Sequence, residues 1–221
     1  MQQIAANVAA GQAVYSKNVL KIYDFWVLGF SNQLLWCCPT QYLRQHFSHY
    51  ASTNHLDVGV GTGYYLDKCL SAKQQRLALL DLNENSLQVA AARAARFKPE
   101  LYCANVLAPL GQDIAPFNSI SVNYLLHCLP GNFAEKGKMF EYLMPLLNNG
   151  AAVFGSTILG KGIQLNYAAN KLMTLYQTKG IFANQEDDLS SLEHMLKHYF
   201  TDVKIDVIGC VAIFSAKKSN S

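Results

Sequence analysis

One apolar segment that runs straight into three alternating glycines constrains this chain more than any other feature. In His55-Leu56-Asp57-Val58-Gly59-Val60-Gly61-Thr62-Gly63-Tyr64-Tyr65-Leu66, residues 56–60 read as a buried strand and residues 62–71 as the helix after it. Glycine loses more conformational freedom on folding than any other residue, so this density of glycine marks a tight turn whose backbone lies against something. A nucleotide-like ligand fits such a turn. By itself, however, the loop is shared by sites for NAD, FAD and phosphates, and by plain turns.

The segments that follow repeat the same alternation. Residues 76–81 are apolar on both faces, as a parallel strand covered by helices should be. Asn83 is placed to cap a helix through about Phe97, with Leu87, Ala90, Ala91 and Ala94 on its core face. Residues 101–106 form a short third strand and its exit, residues 117–126 a fourth, and residues 151–157 a fifth. The helix between the last two spans about 134–147 and ends where Gly150 can turn left-handed. A helix capped by Asp187 or Asp188 leads to an alternating strand over 201–207 and an apolar one over 209–216, an antiparallel pair. These units make an open, doubly wound α/β sheet.

Additions flank this core. Residues 12–36 read as one or two helices carrying Tyr15, Tyr23, Trp26 and Trp36, and residues 39–50 as a short helix. Residues 158–186 hold a helical insertion around 165–177. The organisation is thus a single domain over 1–221: an N-terminal helical cap (1–50), a Rossmann-like core (51–217) and the insertion within it. The aromatics of the cap either pack onto the sheet or, in the case of Tyr15, Tyr23 and Trp26, wall a substrate pocket.

Composition narrows the function. With 15% charged residues, 51% apolar residues and a net charge of +3, the chain lacks the basic density of a nucleic-acid binder. The six cysteines show no zinc-type spacing, and His46 and His49 have no third ligand nearby, so no metal is expected and the two histidines read as surface residues. The N-terminus has no secretory pattern, which points to the cytoplasm. The greasy run over 22–38 contains Asp24, Asn32 and Gln33 and falls short of a span of ~20 residues, so stable membrane insertion is not expected. A homodimer remains open.

Three features choose between cofactors. A dinucleotide loop follows G-x-G-x-x-G, and its third glycine would stand where Tyr64 is. Asp57, at the strand end, would repel a pyrophosphate but suits a cationic α-ammonium. Only one nucleotide-sized set of signals is present. Asp81, roughly 20 residues beyond the glycines, is placed to accept from ribose hydroxyls.

The Asp57-x-Gly59-x-Gly61-x-Gly63 pattern resembles the first motif of class I S-adenosylmethionine-dependent methyltransferases. Leu79-Leu80-Asp81-Leu82 resembles their second motif, Asn105-Val106 stands where they carry an Asp or Asn beside the adenine, and Phe117-Asn118-Ser119-Ile120 resembles the entry to their fourth strand. The resemblance covers about residues 50–217. It implies a seven-stranded sheet of order 3-2-1-4-5-7-6 with the last strand antiparallel, and S-adenosyl-L-methionine as cofactor. It also implies residue roles: Gly59, Gly61 and Gly63 along the methionine part, Asp57 near its ammonium, Asp81 on the ribose, Leu82 on the adenine face, Asn105 with the Val106 amide at the adenine edge, and Asn123 near the reacting methyl.

Methyl transfer from a sulfonium is an in-line displacement, so alignment and desolvation of the acceptor are the main tasks. Where a base is needed, His127 is the candidate by its ordinary pKa, with Tyr124 orienting the acceptor; a structural role for either stands beside this. No Asn/Asp-Pro-Pro-Tyr signature follows Asn123, which favours a small, partly apolar or aromatic methyl acceptor. Two alternatives remain: an RNA or protein methyltransferase, and a non-catalytic member that binds cofactor or a partner.

Overall fold

The computed structural model describes residues 32–111 and 113–220. The helices expected before residue 32, and with them Tyr15, Tyr23 and Trp26, lie outside the described residues.

In chain order the elements are α1 (Thr40–Tyr50), β1 (Asn54–Val58), α2 (Tyr64–Cys69), β2 (Arg76–Asp81), α3 (Glu84–Arg93), β3 (Glu100–Cys103), β4 (Phe117–Asn123), α4 (Phe133–Lys136), α5 (Lys138–Leu143), β5 (Leu147–Ile158), α6 (Tyr167–Thr178), α7 (Leu189–Tyr199), β6 (Thr201–Ile208) and β7 (Val211–Lys217). The strands form one sheet of order β3-β2-β1-β4-β5-β7-β6, parallel except for β7, which runs antiparallel to both neighbours. This is the order and direction that the family resemblance implies.

Local chemistry explains the boundaries. Asn83 caps α3 by accepting from the amides of Asn85 and Ser86, and Asp188 caps α7 by accepting from Ser191. Asp187, the other cap candidate, instead buries its carboxylate against Lys136.

The helix expected over 134–147 is three pieces: α4, α5 and a 3-10 turn Met144–Leu146 containing Pro145. Gly137 lies between the first two, and only glycine fits there because a Cβ would meet Met195 and Tyr199 of α7 at 2.8 and 3.0 Å. Strand β5 also begins earlier than expected, pairing Leu147 with Phe117 before a bulge brings Ala152 opposite Ser119. Gly150, at φ 71°, belongs to that bulge and not to a helix end.

The core divides by sheet face. One face buries Leu56, Val58, Leu80, Ile120, Val122 and Phe140. The other buries Phe47 of α1, Leu77, Leu79, Leu87 and Phe154. A third cluster joins Trp36 and Phe182 to Cys210, Val211 and Met173, so one aromatic of the N-terminal addition does pack on the body of the fold. His46 is not the surface group its position suggests. Its Nε2 lies 2.9 Å from the Phe214 carbonyl and its ring meets Tyr50 and Phe154. Among the described residues no helix is long and apolar enough to cross a membrane.

Candidate active site

Adjacent parallel strands deliver their carboxyl ends to one rim, and there the sheet order matters most. β1 lies between β2 and β4, with Val58 opposite both Leu80 and Val122. Residues leaving these strands therefore converge. A cleft enclosing about 1270 Å³ of empty space, its mouth included, opens over them. Its floor is Asp57 to Thr62, its sides are Asp81 to Asn83 and Asn105 to Leu107, and Asn123 to Leu125 with Cys128 to Pro130 form the far wall.

The glycine loop is tied down by its own backbone. The Gly59 amide donates to Leu80 O at 2.8 Å and the Gly63 amide to Val60 O at 2.9 Å. Gly61 has φ +52° and nothing within 4 Å of where a Cβ would stand, so this backbone is left accessible to a ligand. Gly63 differs. It initiates α2 at φ 72°, and a Cβ there would lie 2.9 Å from the Ala90 backbone. Its place is helix-to-helix contact with α3, and it is not among the residues lining the cleft.

Two carboxylates occupy the floor and side. Burial pushes Asp57 up to about 7, opposed by the hydroxyl of Ser121 that donates to its Oδ1, and the nearby Asp81 raises it further. Asp81 is likewise pushed up to about 6 by burial, against the backbone amides of Asn83, Val60, Gly61 and Leu82. The Asn83 amide donates to it at 2.8 Å. Two carboxylates near each other and largely withdrawn from water suit a cation and hydroxyl donors as partners.

The remaining expected residues fall into two groups. Leu82, Asn105, Val106, Asn123 and Tyr124 all line the cleft. Asn105 turns its Oδ1 onto the Leu107 amide at 3.0 Å, which shapes the loop after β3. Asn123 accepts from Ser156 Oγ at 3.2 Å, while its buried Nδ2 has no partner among the described residues. Tyr124 is held left-handed at φ 54°, and its hydroxyl donates to Asn32 Oδ1 at 2.9 Å.

His127 is outside the cleft. It sits in the 3-10 turn Leu126–Cys128, its Nδ1 accepts from the Ile158 amide at 3.3 Å, and its ring packs edge-on to Phe182. Burial and the positive charge of Lys136 lower its pKa to about 3. The left-handed Tyr124 bends the chain back so that Leu125 and Cys128 face the cleft and His127 faces the core. The Cys128 thiol is raised to about 12 by burial.

Sequence reasoning missed Tyr64, Tyr65, Leu125, Leu129 and Ile181, which supply much of the apolar and aromatic wall. Tyr64 and Tyr65 directly follow the glycines and were readable as cleft neighbours. Ile181 comes from the insertion after α6, and nothing in its spacing signals this. Among the described residues no group of three or more His, Cys, Asp or Glu could hold a metal ion.

No family model matches the sequence. The chain is 40% identical over 210 residues to a physcion biosynthesis cluster O-methyltransferase of Aspergillus chevalieri, covering 94% of this chain and 95% of that protein. It is 36% identical over 214 residues to a demethylluteothin O-methyltransferase of Streptomyces thioluteus, covering 96% and 93%. Among solved structures, the N-methyltransferase NodS of Bradyrhizobium japonicum WM9, in complex with S-adenosyl-L-homocysteine, superposes with a TM-score of 0.60 at 16% identity, over 81% of this chain and 84% of that one. At that identity the likeness concerns the fold. The near-full-length relatives, the seven-stranded order and the glycine-loop cleft agree: the chain belongs to the class I S-adenosylmethionine-dependent methyltransferases.

Proposed function

We propose that this protein transfers a methyl group from S-adenosyl-L-methionine to an oxygen of a small, partly apolar or aromatic molecule. The observation that carries this reading is the paired placement of Asp57 and Asp81 at neighbouring strand ends, beneath a wall of Tyr64, Tyr65, Tyr124, Leu125, Leu129 and Ile181. The choice of oxygen rests on the relatives named O-methyltransferases.

The residues present fit the cofactor. Gly61 leaves backbone accessible, the Asp57 and Asp81 carboxylates are withdrawn from water and held near neutrality, and Asn123 Nδ2 has no acceptor among the described residues. In this reading Asp81 accepts from the ribose hydroxyls, Asp57 receives the α-ammonium, and Gly59 and Gly61 border the methionine part. Leu82 packs on the adenine, and Asn105 with the Val106 amide meets the adenine edge. When bound, the cofactor supplies an electrophilic methyl on a sulfonium whose departure needs no acid.

What this chain contributes is alignment and dryness. Asn123 orients polar atoms near the reacting centre, and the aromatic and aliphatic wall excludes water from the acceptor. Tyr124, fixed by its unusual backbone and by Asn32, positions the acceptor. His127 has no part as a base here, because its imidazole faces Phe182 and the Ile158 amide.

The direct test is mass spectrometry of a cell extract incubated with the enzyme and methyl-labelled cofactor. Label in one small hydroxylated product is expected. Label confined to RNA or protein, or no turnover with any acceptor, would overturn the proposal.

A further inference from the structure

A row of polar side chains crosses the otherwise apolar face of the sheet beneath α1. His55 and Asp57 of β1 lie opposite Ser119 and Ser121 of β4, all on one face, and all four are buried. Phe47 and Phe154 close over His55, with ring centroids 5.4 and 5.7 Å away. Burying such a row costs stability unless every member is satisfied. Here every member is.

From the end of the sheet away from the cleft, the Ser52 amide donates to Ser119 Oγ at 2.8 Å. Ser119 Oγ lies 2.8 Å from His55 Nδ1, His55 Nε2 lies 3.0 Å from Ser121 Oγ, and the Ser121 hydroxyl reaches Asp57 Oδ1. Burial lowers the His55 pKa to about 3, so its ring is neutral and carries one hydrogen, on one nitrogen or the other.

That single hydrogen gives the chain two complete arrangements. With Asp57 ionised, Ser121 donates to it, His55 Nε2–H donates to Ser121, and Ser119 donates to Nδ1. With Asp57 protonated, every side-chain donor reverses while the Ser52 amide still donates to Ser119: Asp57 donates to Ser121, Ser121 to Nε2, Nδ1–H to Ser119, and Ser119 to Ser52 Oγ, which lies 2.9 Å away. Ser52 Oγ is then free to donate onward to the Asn54 carbonyl at 2.7 Å. The two states differ by one proton, taken from solvent and held on Asp57.

We propose that Ser119, His55 and Ser121 are positioning residues, a hydrogen-bonded chain whose polarity follows the charge on Asp57 and which holds Asp57 as the carboxylate that receives a cationic ammonium. The proposal rests on the functional reading given above. Of the groups facing the chain, Asp57 and Asp81 both ionise within the range tested, so the difference between wild type and Ser121→Ala isolates Asp57. Asp81 on β2 is the charged neighbour and opposes ionisation, Ser121 on β4 favours it, and from β5 and α1 come Phe154 and Phe47. Beyond those rings lie His46 and Tyr50 of α1, against Phe154, and Tyr65 of α2, stacked on Phe47. His46 has its pKa lowered, chiefly by burial.

The test is calorimetric binding of S-adenosylhomocysteine, which carries the same ammonium, to the full chain between about pH 5.5 and 8, with Ser121→Ala beside it. Wild-type affinity should rise with pH through a midpoint near 7, as Asp57 ionises. Ser121→Ala removes a donor to a carboxylate and should move that midpoint up by about one to two units, weakening binding about ten- to hundredfold near pH 6 and recovering as pH rises. Superimposable pH profiles for the two proteins would overturn the proposal.

Nitrogen-15 spectra of His55 in the wild type provide a second readout that needs no variant. The ring should carry Nε2–H with ligand bound and Nδ1–H in the free protein at pH 5.5. One tautomer under both conditions would also overturn the proposal. Absence of binding at every pH, with a His55 tautomer that still changes with pH, would instead refute the functional reading and leave the chain's reversal standing.

Discussion

Replacing Lys136 by methionine perturbs a fully buried charge. Lys136 Nζ sits 2.5 Å from Asp187 Oδ2 with both side chains at 0% exposure, and it also donates to the Ala183 carbonyl at 2.9 Å. Burial lowers the ammonium's pKa and raises that of Asp187 to about 6, while each charge offsets the shift of the other. Methionine keeps the volume and removes the cation, leaving a buried carboxylate whose Oδ1 already lacks a partner among the described residues.

Removing one member of such a pair costs about 3–5 kcal/mol. For a chain of this size that is about 6–20 °C in Tm, at about 2–4 °C per kcal/mol. Acid should soften the loss, because Asp187 freed of its partner can take a proton. Urea unfolding followed by circular dichroism at about pH 8 and pH 5 measures both effects. A loss below about 1 kcal/mol, or one equal at the two pH values, would show that Asp187 is not left as a buried, uncompensated carboxylate. The consequence reaches the cleft. Asp187 O accepts from the amides of Gly160 and Lys161, and the Ala183 amide donates to His127 O, so this pair anchors the segment that carries Ile181.

Two further outcomes follow from local geometry. Gly63→Ala forces a left-handed residue and a Cβ 2.9 Å from the Ala90 backbone, so thermal unfolding should show a loss of about 2–5 kcal/mol, with no loss counting against the reading. His127→Asn tests buried neutrality. A folded pKa near 3, against 6.5 when unfolded, means that unfolding takes up a proton between those values. The stability His127 contributes is therefore complete above about 6.5 and is lost as pH falls toward 3. Between about pH 4.5 and 6 the variant should lose stability on acidification less steeply, by up to about 1.4 kcal/mol per unit, and equal slopes in urea titrations would contradict this.

Much of the fold was legible because parallel strands covered on both faces and their helices have distinct periodicities. The glycine loop and the Asp81 strand end could be placed on one rim from topology alone. Breaks that depend on tertiary packing were not legible. Gly137 is where α7 packs too closely for a Cβ, and β5 starts at Leu147 where Phe117 is there to pair with it.

The same limit governs the site. Tyr124, Leu125, His127 and Cys128 look equivalent as residues after a strand, and the left-handed turn at Tyr124 decides which of them face the cleft. Strand periodicity puts His55 and Asp57 on one side of β1, and Ser119 and Ser121 on one side of β4. Only the β1–β4 adjacency makes them one chain.

In the proposed function the cleft over β1, β2 and β4 binds S-adenosyl-L-methionine through its two carboxylates. Titration calorimetry of the folded wild type and Asp81→Ala with that cofactor tests it most directly. Losing charged hydrogen bonds worth about 1.5–3 kcal/mol predicts affinity about ten- to hundredfold weaker in the variant. Equal affinity in the two proteins would contradict the account.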